Sequence, residues 1–242
     1  MGAAKPGKVV ISLGTSDTLF AAMPEPKTDP NGYGHAFGNP VGGYMSLICF
    51  KNGSLAREAI KDQFNLEWSA FEKEGLAQTP IGNEGILMLP FYEPEITPRI
   101  DTSGPVFSTD NALTSEQSVR AVLECQFLNM RNNFGWLGVD PTRISLTGGA
   151  SANDGIAQVV ANVFGVPVDR LDVPGSATIG AAMRAGHAIG IDLDVLESNF
   201  SQAKEGSTIE PEEGAFEIYQ QMLPQFCLLY TSPSPRDREK SR

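Results

Sequence analysis

Gly14-Thr15-Ser16-Asp17-Thr18 joins a glycine to four side chains that can make hydrogen bonds, and it lies between the apolar, β-prone runs 9–13 and 19–23. That order reads as strand, tight polar turn, strand. A glycine at the head of a turn exposes backbone N–H groups, and hydroxyls behind it add O–H donors on the same side. Such a surface suits phosphate oxygens. The plainer alternative is a hairpin turn whose Ser16 and Asp17 satisfy their own backbone. No lysine follows the glycine and no helix opens after it, so the loop is not of the Walker type.

A second glycine-rich turn, Thr147-Gly148-Gly149-Ala150-Ser151-Ala152-Asn153, lies far downstream between a strand and a helix. Its glycines either serve a turn that needs positive φ or let the backbone press against a flat adenosine. The Gly-x-Gly-x-x-Gly spacing of a dinucleotide fold is absent. Asn153, at the helix mouth, can bond a nucleotide or cap the helix. Together the two turns point to one nucleotide, held at its phosphate end by the first turn and at its nucleoside end by the second. Trp68, between Glu67 and Ser69, reads either as a packing residue or as a wall of the adenine pocket. His35 and His187 have no local partner for acid–base work, and Glu93, Glu95 and Asp101, near prolines, read as solvated loop charges.

These residues need elements to hold them. Residues 8–13 and 19–23 read as a hairpin, 24–43 as loop with room for one short strand, and 44–50 as a strand or a helix entry. Ser54 is placed to cap a helix over 55–64, with a further helical turn at 68–74. Residues 85–90 form a candidate buried strand. Thr114-Ser115-Glu116-Gln117 has the form of a capping box. The helix after it carries Val119, Val122, Leu123, Phe127, Met130 and Phe134 at helical spacing. Strand 143–147, helix 154–164, strand 167–173 and helix 177–189, capped by Ser176, follow in turn. Two parallel strands joined by a right-handed crossover are expected, with both helices covering a sheet face. Residues 213–226 read as one more amphipathic helix. The Ser-Pro-Ser-Pro-Arg-Asp-Arg-Glu-Lys-Ser-Arg stretch behind it cannot bury apolar surface.

Composition narrows the function classes. The chain has 242 residues, 41% hydrophobic, with net charge −11. That charge disfavours nucleic acid as a partner, but backbone amides and a bound Mg²⁺ can still supply positive potential to a phosphate ligand. No run of about 18 apolar residues is present, so no membrane span is expected. Three unpaired-looking cysteines (Cys49, Cys125, Cys227) fit a reducing, cytoplasmic setting, and neither they nor the two histidines have metal-ligand spacing.

Ser12-Leu13-Gly14-Thr15-Ser16-Asp17-Thr18-Leu19-Phe20 resembles the phosphate hairpin in the second lobe of the FGGY carbohydrate kinases. Gly38-Asn39-Pro40-Val41, Tyr44-Met45, Cys49-Phe50-Lys51-Asn52-Gly53-Ser54-Leu55-Ala56-Arg57-Glu58, Glu95-Ile96-Thr97-Pro98, Arg120-Ala121-Val122-Leu123-Glu124 and Thr147-Gly148-Gly149-Ala150-Ser151-x-Asn153 look like the eukaryotic-type xylulose kinase branch. Gly104-Pro105-Val106-Phe107 departs from the longer glycine-containing loop of many relatives. The resemblance implies an α/β, actin-like ATPase (ribonuclease-H-like) lobe, with a mixed sheet flanked by helices, over 1–226. Residues 227–242 would then be a disordered, non-native tail. It implies transfer of phosphate from ATP, with Mg²⁺, to the 5-hydroxyl of D-xylulose, and a nucleotide site of Gly14, Thr15, Ser16, Trp68, Gly148, Gly149, Ala150 and Asn153. The family's general base is an Asp upstream of the hairpin, and its sugar lies mainly on the first lobe. Asp17 is inside the phosphate motif and is the wrong candidate. The base and an N-terminal lobe are therefore expected outside this chain, which alone should be inactive. Two rival readings are a kinase for another sugar or polyol of the family and a non-catalytic nucleotide-binding module.

Overall fold

A computed structural model describes residues 4–101, 103–171 and 175–231. Short runs rich in β-branched and other apolar residues form the first strands. Strands β1 (Lys8–Ser12) and β2 (Asp17–Met23) form the expected hairpin, followed by the short β3 (His35–Gly38) and by β4 (Tyr44–Phe50). Helices α1 (Ser54–Gln63) and α2 (Trp68–Gln78) come next, then four two-residue strands, β5 (Met88–Leu89), β6 (Glu95–Ile96), β7 (Arg99–Ile100) and β8 (Val106–Phe107). Helix α3 (Ser115–Asn132) leads to β9 (Arg143–Thr147), α4 (Asp154–Phe164) and β10 (Val168–Arg170). Helices α5 (Ser176–Ala188), α6 (Leu193–Phe200) and α7 (Ala215–Thr231) complete the order.

Six strands form one mixed sheet in the order β10-β9-β1-β2-β4-β3. β1, β9 and β10 run parallel, while β2, β4 and β3 extend the sheet antiparallel. The period of two divides its side chains between faces. Val9, Ile11, Leu13, Leu19, Ala21, Ile48, Ile144 and Leu146 point into the main core, where they meet Val122 and Phe127 of α3 and Val159, Val160 and Val163 of α4. Each such aliphatic side chain contributes about 1.5–3 kcal/mol on burial. The opposite face carries Val10, Ser12, Thr18, Phe20 and Met45, which together with Ala177, Gly180 and Met183 of α5 line a cleft of about 420 Å³. Helices α4 and α5 thus cover opposite faces.

The capping box at Thr114 is complete, with Gln117 N donating to Thr114 Oγ1 and Thr114 N donating to Gln117 Oε1. Two other caps differ from expectation. Gly53, not Ser54, is the N-cap of α1, and Gly175, not Ser176, that of α5; neither makes a side-chain cap bond. Ser54 instead donates to Glu58. Helix α2 extends to Gln78, well past the single turn expected, and the candidate strand 85–90 shrinks to Met88–Leu89. Helix α7 continues through Pro224 to Thr231, so 227–231 are helical and not tail. There Phe226 is fully buried and stacks edge-on against Tyr230. Apolar packing against the core outweighs the backbone donor that a proline removes. The expected tail from 232 onward, and the end of the strand expected over 167–173, lie outside the described residues.

Candidate functional site

The backbone brings the two glycine turns together. β1 and β9 are parallel neighbours with Ser12 opposite Thr147, and Leu13 N donates to Thr147 O at 2.8 Å. Both turns therefore leave the carboxyl ends of adjacent parallel strands, the edge at which open α/β sheets hold ligands. Gly148 has φ +91°, and a Cβ there would lie 2.3 Å from Leu13 O, so only glycine permits this approach. Gly53 meets the hairpin from the other side: its Cβ would fall 2.7 Å from Asp17 N, Asp17 Oδ1 and Thr15 O. Ser54 N donates to Gly14 O at 2.8 Å.

Thr15 and Ser16 are exposed, and their N–H groups, like those of Gly149 and Ala150, have no acceptor among the described residues. Gly149 and Ala150 open a 3-10 turn over Gly149–Ala152, whose first amides have no partner inside the turn. Free amides at two adjoining turns form a surface for an anion. Ser151 Oγ donates to Gly148 O, and Arg170 donates to Ala152 O and to Asp154. Asn153 Oδ1 accepts from Ile156 N at 2.8 Å, so that oxygen caps α4.

Behind the hairpin lies a buried polar network that the sequence did not reveal. Arg57 and Asp17 are each 1% exposed. The guanidinium grips the carboxylate in two places, Nη1 to Oδ2 at 2.9 Å and Nη2 to Oδ1 at 3.0 Å. Asp17 Oδ1 also accepts from Gly14 N at 3.1 Å, closing the turn on itself. Burial pushes the Asp17 carboxyl up in pKa, against the pull of the Arg57 charge and hydrogen bonds and of the Gly14 amide. Gln126 on α3 accepts from Arg57 and donates to Asn52 O and Gly53 O. Glu95 is not a solvated loop charge: it is 3% exposed and accepts from the N–H groups of Lys51, Asn52, Ile96 and Thr97 and from the Asn52 amide. Among the described residues no cluster of His, Cys, Asp or Glu could hold a metal ion.

Trp68 is not among the residues these strand ends unite. Its half-exposed ring, on the first turn of α2, packs against Phe71 and lies under the Lys61 ammonium. His35 sits on the exposed strand β3, and His187 Nδ1 lies 3.3 Å from Ile191 O. The large cleft is lined by Ser12, Thr18 and Thr147, the strand residues next to the turns, and by apolar side chains beyond them.

Comparison with known proteins places this geometry. The FGGY family of carbohydrate kinases, C-terminal domain, matches residues 9–189. A xylulose kinase of Rattus norvegicus is 40% identical over 235 residues, covering 92% of this chain and 43% of the relative. Xylulose kinase 2 of Arabidopsis thaliana is 37% identical over 202 residues, covering 75% of this chain and 36% of the relative. The chain thus spans less than half the length of these curated relatives. Among solved structures, the ligand-bound xylulose kinase from Lactobacillus acidophilus superposes with a TM-score of 0.84 at 23% identity, over 95% of this chain and 48% of the other. Gluconate kinase from the same organism gives 0.83 at 21% identity, again over 95% and 48%. The fold is the actin-like ATPase lobe expected, with its mixed sheet and flanking helices.

Proposed function

The chain belongs to the FGGY family of carbohydrate kinases, and on that premise we propose that it is the nucleotide-holding part of an enzyme that phosphorylates D-xylulose from ATP. The adjoining Gly14 and Gly148 turns carry this reading. The N–H groups of Thr15 and Ser16, with the Thr15 hydroxyl, hold the phosphates, while the Ser16 hydroxyl donates to Lys51 O. Gly148, Gly149 and Ala150 frame the adenosine, and Asn153 orients that turn by capping α4. Trp68, half-exposed beside Phe71 and Lys61, is kept as the proposed wall of the adenine pocket. The lobe is taken to span 1–226 as one unit, with α7 running on to Thr231.

Phosphoryl transfer is largely positioning and neutralisation of charge. This chain's contribution is positional: two fixed turns set the nucleotide's phosphates and nucleoside along one strand edge. Mg²⁺ would supply the neutralising charge. Asp17, buried against Arg57, would not be free to hold that ion. In that reaction the xylulose 5-hydroxyl oxygen bonds to the γ-phosphorus as the bond to the β–γ bridging oxygen breaks, ADP leaves, and the hydroxyl proton goes to a base. We place that base and the sugar contacts in the remaining length that the relatives possess.

A second reading, another sugar of the family, is favoured by one observation: the gluconate kinase superposes as well as the xylulose kinase. Fold alone does not separate the sugars, and the 40% identity to a xylulose kinase favours xylulose. ADP release by the intact protein, measured with xylulose, ribulose, gluconate and glycerol, tests both. Turnover of about 1–100 s⁻¹ with xylulose is expected. Preference for another sugar overturns the substrate, and ATP binding without any sugar effect leaves a non-catalytic module.

A further inference from the structure

We infer that Arg57 is a positioning residue for the nucleotide phosphates, acting through Asp17 to hold the Gly14–Ser16 turn in its binding shape; this rests on the phosphate role proposed above. A buried ion pair contributes little net stability, because desolvation of both charges offsets their attraction. What such a pair does well is hold one geometry, since a bidentate guanidinium–carboxylate contact tolerates little rotation. Here the geometry it holds is that of the turn. Asp17 Oδ1 takes the Gly14 N–H and an Arg57 N–H together, while Arg57 Nη2 also lies 3.5 Å from Gly14 O.

Arg57 is itself held by Gln126 on α3, and Gln126 also grips the Asn52 and Gly53 carbonyls that lead into α1. Gly14 is therefore restrained at both its N–H and its C=O, from Asp17 and from Ser54. The amides of Thr15 and Ser16 next to it remain for a ligand. No cation lies in the turn itself, so its affinity for phosphate depends on amide orientation, and Arg57 sets that orientation without touching the ligand.

Calorimetric titration of the 242-residue chain with ADP and with adenosine tests this. The unsubstituted chain should prefer ADP. Arg57→Lys keeps the charge and loses the fork; Asp17→Leu with Arg57→Met replaces the pair by apolar groups and should keep the chain folded. Both should lose about tenfold in ADP affinity, the worth of one to two hydrogen bonds, with adenosine affinity changed less than about twofold. Gly53→Ala, whose Cβ would press on Asp17 Oδ1, Asp17 N and Thr15 O and so disturb the fork and the turn together, should do the same. Phe226→Leu, a core change in α7, should lower the thermal midpoint and leave the ADP preference intact. A folded Asp17→Leu/Arg57→Met chain, or a folded Gly53→Ala chain, that keeps the preference overturns the positioning role while the nucleotide reading stands. An unsubstituted chain that binds neither ligand, or binds adenosine as tightly as ADP, overturns both.

Discussion

The two glycine turns occupy neighbouring places on the same sheet edge and are held by opposite means. The Gly14 turn is fastened from behind by charges that water does not reach, Asp17 and Arg57 being each 1% exposed. The Gly148 turn is fastened by backbone geometry, a helix cap and an ion pair whose Asp154 side chain is 77% exposed. A phosphate grip needs amides aimed within a narrow angle, and a buried fork sets angles well. A flat adenosine needs only that nothing protrude, and glycine backbone meets that need. On the roles proposed above, the contrast would separate a turn whose chemistry depends on orientation from one whose chemistry depends on absence of bulk.

Denaturation of the chain can break or sharpen this contrast. Arg57→Ala leaves Asp17 buried without its partner and should cost about 3–5 kcal/mol; a loss under about 1 kcal/mol by urea titration would show that the hairpin does not rely on its charges. Gly148→Ala forces a side chain onto a backbone at φ +91°, against Leu13 O. Strain alone is about 1–3 kcal/mol there, whereas Gly149→Ala, with open space around it, should stay within about 0.5 kcal/mol. Equal losses at both glycines would refute the close approach of the turns. Asn153→Ala removes the α4 cap and should cost about 1 kcal/mol, read as a lowered thermal midpoint. Arg170→Ala should cost less than about 1 kcal/mol, because its Asp154 partner is largely in water. An Arg170 loss matching that of Arg57 would erase the distinction between the turns.

Much of the fold was legible in the residues. Helix 154–164 and strand 143–147 coincide with α4 and β9, since periodicity and flanking glycines are local signals. The capping box was equally local. Ser54 and Ser176 misled because a hydroxyl near a helix start is only a candidate cap; the chain chose the glycine before each. Glu95 misled for a deeper reason. Its partners are mostly backbone amides from β4's exit and its own turn, and backbone donors leave no mark in a sequence. Arg57 and Gln126 look like ordinary helix residues until α1 and α3 bring them together.

From sequence alone came the strand–turn–strand and strand–turn–helix signatures, the helix periodicities and the kinship of both turns to one kinase family, because each depends on residue type and short spacing. Only the tertiary structure set β1 beside β9, and with it Gly14 beside Gly148. It alone decided which charges left water to stiffen the hairpin, and it set Trp68 beside Phe71 and Lys61. Pairing between strands more than a hundred residues apart is a choice of the whole core, and burial is a property that no residue has before the chain has packed.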